Sequence, residues 1–560
     1  MKFRQLPSAL ALLSVLVAAP GCKDFYDVNV NPLAPTKAEL FSLLPVTQVA
    51  MATGLGDSPS GMSQYTMALM QQLASTRSIG TFQQAGDSFS NEWTSLYTDM
   101  LVNNQQIITQ GTTEQSWTYV GIAQIQRAFV FSQMVDLWGS LPYSQALQGG
   151  TIGTPRFDSD VDIYNGASGI QSLFSLIDDG IANLAKSAPV TGLAKADLIY
   201  LGDKDKWARF GRSLKLKLYN QIRKTRNVAA DVTPLLAAGN DLIRKGDDQD
   251  FELNYGSSIN PDNRNLGFIA DYATPSRENR INPNFYLSMK TGANRYYDLN
   301  GGSTAPSDPR VPYYFFNQAS STNPVTATQD YINGYFVSVR FGSNGPFVGT
   351  VASNLITLPG LYPVGGRYDD GKGGTASATA NIARTVSAKG VVAQRLHTYF
   401  SRKYTEAELQ LTVLNDNAAA TAALQAAVEA SFDKVNSIAR KDGSPAMDTT
   451  LVRVYKNAAM AAFNKPGATL DDKLEVIMYE KYVASFGYGV DMYTDFRRTN
   501  HPRIKVPGNP EPSRGLLDDN DPATVSTGPF PRRLYYPIND LLVNLNGPQT
   551  QNSQPIFWDK

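Results

Sequence analysis

The sequence predicts a mainly α-helical protein whose two helical ends enclose a loop-rich, aromatic middle, and three observations carry that expectation. Apolar residues recur at helical spacing from Leu40 to about Arg244 and again from Glu406 to Arg498. Between about Asp250 and Lys389 that period is lost, and Gly, Asn, Pro and Ser become frequent. The same middle is rich in rings: 15 of the 90 residues from Ile281 to Asp370 are Phe or Tyr, and none is Trp.

In chain order, Leu40 to about Gly54 and Met62 to about Arg77 are the first expected helices. Phe89, Trp93, Leu96, Tyr97, Met100, Leu101 and Ile108 then form a cleaner stripe. The next segment has one apolar row through Val120, Ala128, Phe131, Val135 and Trp138 and another through Ile122, Ile125 and Phe129. A helix apolar on two faces is buried between neighbours. Gly139 can end it, and Pro142 prevents it from resuming. Asp158 to Asp162 reads DSDVD, but Ile163 stands where a calcium loop of the EF-hand type needs glycine. These acids are expected to open a helix ending near Lys186, where negative charge suits the helix dipole. Further helices are expected over Lys204–Lys224, Val232–Arg244, Glu406–Asn436, Leu451–Asn464 and Leu470–Arg498. After them PRRLYYPINDLL carries the last apolar cluster.

Composition narrows the function. The 50 basic and 50 acidic side chains balance, so no cationic excess marks a nucleic-acid partner. Two histidines, His397 and His501, exclude a two-histidine HExxH zinc site, and there is no G-x-S-x-G nucleophile elbow. Gly366 to Gly373, GRYDDGKG, nearly spells a phosphate loop, but Gly373 replaces the Ser or Thr that would hold magnesium. No cofactor, metal or catalytic residue is assigned. A carboxylate pair for glycoside hydrolysis needs only a separation, which sequence does not supply.

The N-terminus bears on location. Lys2 and Arg4 precede an apolar run from Leu6 to Ala19, and the only cysteine, Cys22, follows Gly21. A run of about 14 residues is short of the roughly 20 that span a bilayer, so it reads as a removed secretory signal. A cysteine directly after it resembles a bacterial lipoprotein signal, in which the Cys22 thiol carries the lipid. Removing residues 1–21 leaves 539 residues with net charge −2. Beyond that signal no stretch approaches a membrane span, so membrane contact is expected through lipid alone.

Three stretches together resemble the SusD/RagB family of outer-membrane nutrient-binding lipoproteins of the Bacteroidetes, in its SusD-like branch. They are NVNPLAPT (Asn29 to Thr36), RAFVFSQMVDLWGSLPYSQAL (Arg127 to Leu147) with the RFDSDVDIYNGASGIQSLFSLIDDGIANL that follows, and EVIMYEKYVASFGYGVDMYTDFRRTNHP (Glu475 to Pro502) with PRRLYYP. The resemblance implies a tetratricopeptide-like scaffold of helix pairs with an irregular ligand-binding part. It divides the chain into signal (1–21), tether (22–39), N-terminal helical part (40–249), loop-rich part (250–400) and C-terminal helical part with closing tail (401–560), the last three packed as one domain. It further implies cell-surface capture of oligosaccharides, or peptides in some members, and delivery to a SusC-like TonB-dependent transporter. Sugars need flat apolar faces edged by amide, carboxylate or guanidinium groups. The candidate contacts are Tyr296 and Tyr297 with Arg295 and Asp298, Tyr313 after a proline-rich turn, and Trp93 with Asn91. Each ring also suits a structural role, pinning a loop or filling a helical stripe. A surface-anchored hydrolase and a lipoprotein scaffold or adhesin are the alternative functions.

Overall fold

The computed structural model describes residues 38–75, 81–148, 151–237, 241–274, 277–290, 306–325, 330–343, 345, 348, 353–374, 388–503, 530–548 and 550–560. Cys22, with the expected signal and the expected tether up to residue 37, lies outside them. Leu40–Lys560 forms one compact unit.

Helix α1 (Leu40–Leu55) matches its expected span, and α2 (Met62–Leu69) stops short of Arg77. Gln71 adopts a left-handed backbone (φ +57), and the chain leaves as strand β1, Leu73–Ser75. The stripe begun at Phe89 becomes α3 (Ser90–Ser95), a π-type turn (Leu96–Leu101) and α4 (Val102–Thr113). Helix α5 (Trp117–Trp138) buries both of its apolar rows and ends at Gly139, φ +91. Asp160 and Asp162 do open a helix, but it ends at Asn165. Gly166 (φ +85) turns the chain, and α6 runs separately over Leu173–Ala185. Helix α7 (Lys204–Ile222) is capped by the Asp203 side chain on the Lys206 amide, and a shorter helix spans Ala229–Ala237.

Two long helices expected near the C-terminus are each divided. One becomes α8 (Tyr399–Thr412), which begins at Tyr399 instead of Glu406, and α9 (Asn417–Asp442), separated at Asn415 with φ +55. After α10 (Thr449–Phe463), the second becomes α11 (Leu470–Ala484) and α12 (Gly489–Thr499), separated at Gly487 with φ +96. The backbone angle favours glycine there, and a Cβ would lie 2.7 Å from Arg395 Nη2, which would have to shift.

Neighbouring helices pack in pairs: α5 on α6, α6 on α7, α8 on α9, and α10 on α9 and α11. This is a helical, tetratricopeptide-like fold. At the α5–α6 crossing a Cβ on Gly121 would stand 2.6 Å from the Gly180 carbonyl oxygen, so the two backbones touch without side chains between them.

Short antiparallel pairs of strands pin the loops, those of the loop-rich middle among them. In chain order β2 is Leu141–Pro142, β3 Phe157–Asp158, β4 Phe251–Leu253, β5 Arg280–Ile281, β6 Phe315–Phe316, β7 Tyr331–Asn333, β8 Phe336–Ser338, β9 Leu358–Pro359 and β10 Gln394–His397. The pairs are β1–β5, β2–β3, β4–β10, β6–β9 and β7–β8. Phe251 of β4 stacks on Phe210 of α7 with ring centroids 3.7 Å apart, fixing the β4–β10 ribbon to the helices. In the tail, Leu534 and Tyr536 are buried, and the Tyr535 carbonyl accepts from Trp138 Nε1 at 3.1 Å.

Charge is also built into this core. Glu408 of α8, with no exposed surface, pairs with Arg498 of α12 and with Arg223, whose Nη2 is 2.7 Å from Oε1, and accepts from Asn220 Nδ2 at 2.8 Å. Burial alone would push this carboxyl up, but the two guanidinium groups hold it well below the usual carboxylate range.

Beyond α12, His501 Nδ1 lies 2.5 Å from Glu475 and Nε2 2.8 Å from Asp471, while Arg503 pairs with Asp471. Burial disfavours the imidazolium, yet bonds and charges from Glu475 and Asp471 outweigh it and raise His501 above its ordinary 6.5. The ring is proton-rich in the fold, so its contribution to stability is complete below about pH 6.5 and fades as pH rises through the raised value. Denaturant titrations of wild type and His501→Gln are expected to differ most in mildly acidic buffer and to converge toward alkaline pH. A gap that widens with pH would contradict the assignment.

Candidate functional site

The β4–β10 ribbon and the C-terminal half of α9 face each other across a groove. Its centre is Lys434 on α9, whose Nζ lies 2.8 Å from Asp250 Oδ2 and 2.7 Å from Glu252 Oε2. Cavities of about 210 and 240 Å³ open on either side, and Lys434 lines both. The first is walled by Tyr255, Leu361, Val391, Val392 and Ile438, with Asn254, Ser437, Lys389, Lys441 and Asp442 supplying polar groups. The second is bordered by Tyr399, Phe400, Asp247, Asp433 and Arg440.

Register explains how the groove is built. Leu253 pairs with Gln394, Glu252 with Arg395 and Phe251 with His397, which places Tyr255 just beyond the ribbon's end. Asp250 accepts from the Tyr399 amide at 2.7 Å and so holds the start of α8 beside Lys434. Arg395 donates to the carbonyls of Tyr362, Pro363 and Phe486 at 3.1 to 3.3 Å, with its guanidinium 4.2 Å from the Tyr362 ring centroid.

Electrostatics keep these groups in place. Burial raises Glu252 above its usual range, with Lys434 pulling the other way. Lys434 is itself raised despite burial, because Asp250 and Glu252 outweigh the desolvation of its ammonium. Burial raises the Tyr255 hydroxyl, and the negative charge of Asp57 raises it further. The phenol is therefore neutral, a hydrogen-bonding edge on an apolar ring.

This arrangement suits binding better than bond cleavage. Asp250 and Glu252 both engage Lys434, Asp247 accepts from Ser437 Oγ at 2.5 Å, and Asp433 pairs with Lys245 at 2.6 Å. These carboxylates hold partners of their own instead of standing ready to protonate a leaving oxygen. Among the described residues no group of three or more acidic, histidine or cysteine side chains is placed to hold a metal ion.

Of the residues singled out from sequence, Asn91, Trp93 and Tyr313 line neither cavity. Trp93 is 4% exposed, its ring 5.3 Å from Trp138, 5.0 Å from Tyr97 and 5.9 Å from Tyr536, and Asn91 beside it faces solvent. Tyr313 is 2% exposed and donates to the Pro445 carbonyl at 2.6 Å, which ties the loop-rich part to the chain just after α9. Arg295, Tyr296, Tyr297 and Asp298 lie outside the described residues. Gly366–Gly373 forms a turn in which Asp369 accepts from Asn317 Nδ2 and the Gly371 amide, at 2.6 and 2.8 Å.

Comparison with known proteins decides the family. The SusD-like family, described as "Starch-binding associating with outer membrane", matches residues 32–537. The chain belongs to the SusD-like family. Solved SusD-like structures share its fold. A SusD/RagB family protein from Bacteroides thetaiotaomicron superposes with a TM-score of 0.62 at 20% identity, covering 93% of this chain and 99% of its own. A SusD homolog from Bacteroides fragilis gives 0.66 at 16% identity, covering 94% and 100%. A chitin-binding SusD homolog from Flavobacterium johnsoniae gives 0.61 at 16% identity, covering 93% and 97%. No curated protein sequence matches the chain.

Within this SusD-like fold the groove residues carry little local signal. Phe251 to Tyr255 alternates apolar and polar side chains as a strand does, which marks the ribbon. Its partnership with Lys434 spans 182 residues from Glu252, and nothing in either segment announces it. The family is associated with the outer membrane, and no described helix is long and apolar enough to cross one.

Proposed function

We propose that this SusD-like protein is a non-catalytic cell-surface binder of nutrient oligomers, glycans first, and that it passes its cargo to a SusC-like TonB-dependent transporter. Lipid on Cys22 would tether it to the outer membrane. The family description and the chitin-binding relative support the ligand class. The single observation that carries the reading is the groove astride Lys434. There the half-buried rings of Tyr255 and Tyr399 stand beside amide, hydroxyl, ammonium and carboxylate groups, the combination a sugar ring requires. The cluster Arg295 to Asp298 remains a sequence-based proposal for further contact.

Titration of the purified mature protein with a panel of malto-, chito- and uronate oligosaccharides tests this. Saturable binding is expected, and Tyr255→Ala is expected to weaken it about tenfold while leaving the unfolding midpoint nearly unchanged, since one stacked ring contributes about 1–2 kcal/mol. No binding across the panel, or shortened products after incubation, would overturn the proposal.

A further inference from the structure

We infer that the cavity between Tyr255 and Lys441 selects an acidic sugar, so that the cargo is a uronate-bearing oligosaccharide in place of a neutral glucan. This rests on the groove being the glycan site.

Charge around the cavity is unequal. Four cations line it, Lys389, Arg395, Lys434 and Lys441, against two acids, Glu252 and Asp442. Three further acids, Asp247, Asp250 and Asp433, border the neighbouring cavity, where Asp433 pairs with Lys245. Lys434 is already met by Asp250 and Glu252. Arg395 is held by backbone carbonyls, which occupy its donors and leave its positive charge in place. Asp442 accepts from Ser444 Oγ.

The two remaining lysines are available. Lys389, partly buried on the loop that borders the mouth, has no hydrogen bond or ion pair among the described residues. Among the described residues Lys441 has one ion-pair partner, Asp247 at 3.4 Å, in a pair with both side chains more than half exposed. Such a pair is worth little and exchanges readily for a better acceptor. A carboxylate at this mouth would meet two ammonium groups beside the Arg395 guanidinium, whose charge is shared with Glu252 and Asp57 but whose hydrogen bonds all go to backbone carbonyls, and charge-assisted bonds of that kind are the strong ones.

Size and lining fit the rest of the sugar. A volume of about 210 Å³ corresponds to about seven waters at their liquid share, room for one pyranose ring. The ring's C–H face would lie on Tyr255 and the aliphatic wall of Val391, Val392 and Ile438. An isolated carboxylate would leave that wall unused, and a neutral sugar would leave the lysines unused.

The test is calorimetric titration of the mature protein with oligogalacturonate and with malto- and chito-oligosaccharides of equal length, at low and high salt. Wild type is compared with Lys389→Gln/Lys441→Gln and with Tyr255→Ala. The account expects oligogalacturonate to bind tightest, to weaken with salt, and to lose about tenfold or more in the double lysine variant, with the melting midpoint of that variant unchanged. Equal or tighter binding of a neutral oligosaccharide that depends on Tyr255 and ignores the lysines would overturn this inference and leave the proposed function standing. No binding of any sugar would overturn both. An acidic peptide that binds through the lysines while oligogalacturonate does not would also overturn it.

Discussion

Glu408→Ala is expected to destabilise the protein by about 3–5 kcal/mol, read as a lowered midpoint in a denaturant titration. The loss comes from what stays behind. Arg223 and Arg498 keep their charges in a site with almost no solvent, and among the described residues the carboxylate left to pair with them is Asp495, 2.6 Å from Arg498 Nη2 and already paired with Lys481. Asn220 also loses its acceptor. Glu408→Gln preserves shape and part of the hydrogen bonding but not the charge, so it is expected to recover only a minor share. Near-wild-type stability of Glu408→Ala would mean that water or a rearranged Asp495 neutralises the pair, and the network would not be the clamp between α7, α8 and α12 described above.

Trp93→Ala has a second effect of similar size, about 3–5 kcal/mol, through a different cause. The indole packs edge-on against Trp138 and Tyr536, so truncation removes a large apolar surface and opens a cavity where α3, α5 and the closing tail meet. Denaturant titration should show the loss, and glycan affinity measured well below the transition should be unchanged. The opposite pattern, wild-type stability with lost affinity, would place Trp93 at the ligand.

These two residues illustrate what the sequence made legible. Trp93 lies on a helical stripe, and a stripe reports burial directly, so its place among Phe89, Trp138 and Tyr97 follows the spacing. The Tyr535 carbonyl that Trp138 donates to and the Tyr536 ring that Trp93 packs on both come from the segment PRRLYYP, an apolar cluster visible in the chain though its destination is not. Helix breaks were less legible. Periodicity runs through the Asn415 and Gly487 junctions because one residue with positive φ redirects a chain without interrupting its apolar pattern. The groove was hidden for a further reason. Lys434, Asp250 and Glu252 are ordinary charged residues in sequence, and only the meeting of β4 with α9 makes them a buried triad. Among the loop aromatics, Tyr313 is buried, whereas Tyr255, one of two rings in FELNYG, stands at the cavity.

The central claim is that sugar binds in the groove astride Lys434, and hydrogen–deuterium exchange of the mature protein with and without a bound oligosaccharide tests it most directly. The account predicts slowed exchange in peptides covering Phe251 to Tyr255, Lys389 to Arg395 and Lys434 to Asp442. Protection confined instead to peptides around Asn91 and around Arg295 to Asp298, with the groove unchanged, would contradict it.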